Sequence, residues 1–168
     1  MKNKNKNQQR NLTNPFRLLL HVPVPWVFIL AYLVGVGLQI LFPFGTRSAD
    51  ILFVSTIGGV VLFLMGAALA AWSLFIFHKA HTTTTPGETS TKLVTSGPYR
   101  FSRNPMYWGL IFAYVGEAGL LAQVWPLLIL PFTVAYINWI VIPVEEARLK
   151  EDFGSEYEQY CAKVHRWI

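Results

Sequence analysis

Residues 51–77 read ILFVSTIGGVVLFLMGAALAAWSLFIF, a run without one charged side chain. As a helix rising about 1.5 Å per residue, it is longer than the roughly 30 Å hydrocarbon core of a bilayer. In lipid every backbone N–H and C=O must be satisfied within the protein. A continuous run of this length therefore predicts a membrane-spanning helix. The rest of the chain agrees: of 168 residues, 53% are hydrophobic and only 14% charged, against about a quarter charged in soluble domains. The fold class expected is all-α, an integral membrane helical bundle.

Four spans are predicted, at about residues 22–44, 51–77, 106–124 and 125–143. The turn near Gln123–Pro126 leaves room only for a hairpin between the last two. Gly58, Gly59, Gly66, Ala67, Ala68, Ala70 and Ala71 allow close helix approach within the second span. Residues 1–21 form a basic tail, and residues 22–168 one membrane domain. In residues 144–168, Val144, Leu149, Phe153, Tyr157, Tyr160 and Val164 recur at three- and four-residue steps. This predicts an amphipathic helix, interrupted at Gly154.

The net charge of +5 is not a nucleic-acid footprint, because the basic residues flank the apolar runs. Lys2, Lys4, Lys6, Arg10 and Arg17 precede the first span. Lys79, Lys92, Arg100 and Arg103 lie in the loop at residues 78–105, and Arg148, Lys150, Lys163 and Arg166 follow the last span. Four spans put these groups on one side and leave only Arg47 on the other. The positive-inside rule makes that side cytosolic, with both termini. A signal peptide is not expected, because the apolar run that follows the basic tail is long and no small-residue cleavage site follows it.

The loop at 78–105 is too long for a bare connection. Its stretch LVTSGPYRFSRNPMYWG mixes apolar anchors with a Gly-Pro turn and has Tyr99, Phe101, Tyr107 and Trp108 to pack. Tyr107 and Trp108 have a second reading, as interfacial aromatics. Glu145 and Glu146 follow the last span on the same side. They complement a helix dipole or hold a cation or ribose hydroxyl. Glu117 lies ten residues beyond Tyr107, roughly 15 Å deeper by helical rise. A carboxylate there faces a cavity or a partner. His78 and His81 are spaced i, i+3 without a third ligand, so no metal is expected. Cys161 is the sole cysteine, which excludes an internal disulfide. The Gly35–Gly37 stretch GVG lies inside a span and is a packing feature, not a phosphate loop.

The order TKLVTSGPYRFSRNPMYWG, apolar hairpin, EEARLKEDFGSEYEQYCAKVHRW resembles the isoprenylcysteine carboxyl methyltransferase family, which is related to the phospholipid N-methyltransferases. The resemblance covers about residues 78–168. It implies methyl transfer from S-adenosyl-L-methionine to a lipophilic small-molecule or lipid acceptor within the membrane. The implied cofactor contacts fall on Thr91, Lys92, Leu93 and Val94, on Tyr99, on Asn104, Pro105, Met106 and Tyr107, and on Glu145 with its neighbour Glu146. A further upstream contact falls near Thr84, where no motif fixes the position. Arg103, Asn104 and Glu117 are candidates for acting at the reacting atoms.

Two positions depart from the family pattern. Asn104 stands where the family has the histidine of a His-Pro-x-Tyr element; an amide hydrogen-bonds but carries no charge. Val141 stands where the prenylcysteine enzymes carry an arginine thought to face the substrate carboxylate. Two other functions are weighed against methyl transfer: a membrane NADPH-dependent sterol-type reductase, with Lys92, Arg100 and Arg103 meeting the extra phosphate, and a non-enzymatic scaffold. The acceptor's identity and the oligomeric state are not encoded in any motif.

Overall fold

The computed structural model describes residues 23–45, 48–79 and 92–167. The basic tail, Arg47, His81, Thr84 and Thr91 lie outside the described residues. Among those described, all regular structure is helical. Helices α1 (Val24–Leu41) and α2 (Ala49–Lys79) are followed by a 3₁₀ turn (Gly97–Arg100), then α3 (Pro105–Leu120) and α4 (Trp125–Tyr136). A π turn (Ile137–Val141), α5 (Ile142–Phe153) and α6 (Ser155–Lys163) complete the order.

Three helical stretches are long and apolar enough to cross a membrane: α1, α2 and the continuous Trp125–Phe153. The expected third span is a 16-residue helix, α3, roughly 24 Å long. The expected fourth span and the C-terminal helix join without interruption, because α4, the π turn and α5 run on as one helical stretch. The interruption at Gly154 is real, with φ +50°. That left-handed value suits glycine and ends α5 before α6 begins.

The helices pack as two pairs, α2 with α3 and α1 with α4. Glycines set the first pair. A Cβ on Gly59 would stand 2.3 Å from the Leu120 amide N, and one on Gly66 would stand 2.3 Å from that of Ala113. Reciprocally, a Cβ on Gly116 would meet the Phe63 amide N at 2.3 Å, and one on Gly109 would meet that of Ala70 at 2.6 Å. The spacing is seven residues on each antiparallel helix, so backbone lies directly on backbone. Ser73 continues the α2 stripe and is fully buried. Most of the large apolar side chains of α2 are exposed, as a lipid-facing helix requires.

The second pair meets the first around Val24, Phe28 and Tyr32 of α1, Tyr107, Tyr114 and Ala118 of α3, and Ile137, Val141 and Ile142. The Tyr114 ring stands edge-on to Tyr32 at 5.0 Å and to Phe28 at 6.1 Å. At the end away from the loop, Gln39 Oε1 accepts from the backbone N–H groups of Val124 and Trp125, 3.1 and 3.3 Å away. These are first-turn donors that α4 itself cannot satisfy.

The π turn has a local cause. Pro143 has no N–H for the carbonyl of Trp139, and its ring crowds that carbonyl. Widening the preceding turn accommodates both and inserts one residue. The insertion rotates everything beyond it, including Glu145 and Glu146, relative to α4.

Candidate functional site

The site lies where the loop, the first turn of α3, α5 and α6 converge. Gly97 adopts φ +62°, and its Cα lies so near Ile76 that a Cβ would come within 3.2 Å of it. This seats the 3₁₀ turn on the end of α2. Tyr99 is thereby buried, its ring edge-on to Phe77 at 5.2 Å. Its carbonyl accepts from the Tyr160 hydroxyl at 2.7 Å, which ties the loop to α6. Burial pushes the Tyr99 phenol above its ordinary range. Burial likewise pushes Tyr160 up to about 12, opposed by the Arg103 charge. Both act here as neutral hydroxyls.

Tyr107 sits in the first turn of α3, only 3% exposed. Its hydroxyl lies 2.7 and 2.8 Å from the two carboxylate oxygens of Glu145. One phenolic proton cannot satisfy two oxygens that each accept twice. The carboxylate therefore keeps acceptor capacity for a ligand carrying hydroxyl or amine donors, and the phenol fixes its orientation.

Glu146 is engaged differently. Its Oε1 accepts from Arg103 Nη1 at 3.2 Å and from Arg166 Nε at 3.1 Å, while Arg166 Nη2 donates to Oε2. The Arg166 guanidinium is held further toward its charged form by this carboxylate. Arg103 also reaches the Tyr157 hydroxyl and Cys161 Sγ. Glu146 and Arg103, expected at the cofactor and the reacting atoms, are thus occupied with one another. We expect Glu146→Ala to destabilise the protein by about 2–3 kcal/mol, since it strands two partly buried guanidinium groups. Thermal unfolding in detergent checks this, with Glu158→Ala, whose exposed pair with Lys150 is solvated, as the near-neutral control.

The other expected residues divide. Asn104 donates from Nδ2 to the Arg166 carbonyl at 2.9 Å, and its backbone N–H donates to Ser102 Oγ at 3.1 Å. Its amide thus acts as a tether. Pro105 is buried at the first helical position, where its missing N–H costs nothing, and Met106 packs against the core. Val94 is buried, Leu93 half-buried and Lys92 exposed. Glu117 is half-buried in the last turn of α3, near the end remote from Tyr107. His78 is exposed in the last turn of α2.

Sequence inspection does not single out Ser102, Asn138, Arg166 or Trp167 as site residues. Trp167 Nε1 donates to Asn138 Oδ1 at 2.9 Å, and its ring stands edge-on to Trp108 at 5.6 Å. A lone asparagine in an otherwise apolar helix is the one local signal that a polar partner exists.

Comparison with known proteins gives the family. The family model described as phospholipid methyltransferase matches residues 54–156, more than half of the chain. A protein of Oryza sativa subsp. indica named "Probable protein-S-isoprenylcysteine O-methyltransferase" is 40% identical over 80 residues, 46% of this chain and 41% of that protein. "Protein-S-isoprenylcysteine O-methyltransferase B" of Arabidopsis thaliana is 36% identical over 75 residues, 44% of this chain and 37% of that protein. The matched segment thus spans about two fifths of the length of these curated relatives. No solved structure matches the chain.

Proposed function

Because the chain belongs to the phospholipid methyltransferase family, we propose that it transfers a methyl group from S-adenosylmethionine to a lipophilic acceptor dissolved in the membrane. The observation that carries this reading is the Glu145 carboxylate, oriented by the buried Tyr107 phenol yet left with acceptor capacity. The residues fit the donor. Glu145 would accept from its ribose hydroxyls or ammonium group, with the buried Tyr99 near it. When bound, that cofactor supplies an electrophilic methyl whose bond to sulfur breaks as the acceptor's lone pair forms the new bond, leaving a neutral thioether. The protein's own contribution is alignment and exclusion of water, which can lower the barrier by several kcal/mol.

The reading of the acceptor rests on Val141. Val141 is buried among apolar residues, and the two guanidinium groups that meet the carboxylate pair, Arg103 and Arg166, already serve Glu146. A carboxylate acceptor beside Val141 would be unpaired, which is strongly disfavoured. A thiol, amine or phenol is favoured, and prenylcysteine is expected to turn over at least about tenfold more slowly than the best of these. Radiolabelled methyl transfer over such a panel decides, and comparable turnover of prenylcysteine refutes it.

The donor is tested first, by the thermal stability of detergent-solubilised protein. S-adenosylhomocysteine should raise it and NADPH should not. The reverse result establishes the reductase reading, and no effect from either removes the enzyme.

The basic flanks support a cytosolic position for the loop end. Arg100 is exposed there. Arg100→Cys in a Cys161→Ser background should resist an impermeant maleimide applied outside intact cells and react once the membrane is opened. Labelling from outside reverses the orientation.

A further inference from the structure

The two helix pairs pack far less against each other than within themselves. At the loop end another element joins them. The Arg103 N–H donates to the His165 carbonyl at 2.9 Å. Ser102 Oγ and Asn104 Nδ2 both donate to the Arg166 carbonyl, at 3.2 and 2.9 Å. These contacts fasten residues 165 and 166 to the start of α3. The side chains of the same segment reach the other pair: the Arg166 guanidinium holds Glu146 on α5, and the Trp167 indole holds Asn138 in the π turn.

Backbone and the Trp167 ring against one pair, with polar side-chain groups bonded to the other, is the geometry of a tie. It straddles the Tyr107–Glu145 bond, whose partners also come one from each pair. Glu146 adjoins Glu145 on the same helix, so fixing the first fixes the height and rotation of the second. The π turn matters because a π-bulge is where a helix can change direction, and Asn138 lies within it.

We propose that residues 165–167 form a strap that positions Glu145 against Tyr107, with Arg166 and Trp167 as positioning residues for donor binding. The link to the donor rests on the function proposed above; the mechanical link between the helix pairs does not. Two measurements separate them. Spin labels at Arg100 and Glu151, both exposed, are placed in a Cys161→Ser background and their separation measured in detergent without ligand. Wild type should give one narrow distribution. Arg166→Gln with Trp167→Phe should broaden it, and Arg166→Lys alone should restore most of the sharpness. Calorimetry with S-adenosylhomocysteine on the same proteins should show about a tenfold loss of affinity in the double variant.

An unchanged distance distribution overturns the strap, whatever the nucleoside does. A broadened distribution with unchanged affinity overturns the positioning of Glu145. Absence of nucleoside binding to wild type overturns the donor assignment, and the strap is then judged on the distances. If the double variant does not survive extraction, Trp167→Phe alone, which keeps the ring against Trp108 and removes only the N–H, is read the same way.

Discussion

Gly66→Leu is expected to leave no folded, monodisperse protein after detergent extraction. The new Cβ would stand 2.3 Å from the Ala113 amide N and 2.6 Å from the Gly109 carbonyl O. Both are backbone atoms of a helix, so no rotamer change relieves the contact. The α2–α3 pair must separate along its length, and with it goes the support for the 3₁₀ turn. Ordinary overpacking costs about 1–3 kcal/mol; backbone against backbone should exceed that and approach the whole stability of a marginal protein. Gly58→Leu supplies the control. It lies on the same helix with nothing within 4 Å of its would-be Cβ, so it should extract and unfold like wild type. Equal behaviour of the two variants by size-exclusion profile and unfolding temperature would show that the pair is not sealed by its glycines.

Glu145→Ala should weaken S-adenosylhomocysteine binding by about 10- to 100-fold, and should also lower the unfolding temperature of the unliganded protein, because it strands the buried Tyr107 hydroxyl. The estimate follows from losing a hydrogen bond to a charged group, about 1.5–3 kcal/mol. Glu146 cannot substitute, because Arg103 and Arg166 hold it. Tyr107→Phe should cost less, about threefold to tenfold, since it removes the orienting phenol and leaves the acceptor. Calorimetry giving wild-type affinity for Glu145→Ala would remove this carboxylate from the site.

Much of this was legible in the sequence because it depends on local pattern. Length and apolarity of a run decide whether a helix crosses a membrane, and the turn at Gly97 and the interruption at Gly154 are written in single residues. The glycines of the second span announced close packing. Their seven-residue register against Gly109 and Gly116 did not show, because register belongs to two segments together. The 16-residue length of α3 was hidden for a similar reason. The apolar run continues through Leu121 into the hairpin, and only the tertiary turn, with Gln39 satisfying the α4 amides, marks where the helix stops.

The site divides along the same line. The sequence determined a membrane-bound, all-helical chain with a loop rich in tyrosine, arginine and asparagine and a carboxylate pair beyond the last span. Whether Glu145 or Glu146 is open to a ligand was not determined, since adjacent identical residues have identical local chemistry. That was decided by contacts across 38 positions to Tyr107 and 20 positions to Arg166. Asn104 was likewise decided by Arg166, 62 positions away. The rotation that presents both carboxylates to those partners comes from the π turn, where a helix widens to accommodate Pro143. Hydrogen bonds are short-ranged, so a side chain's role is fixed by whichever group the fold brings within 3 Å, and only the tertiary structure chooses that group.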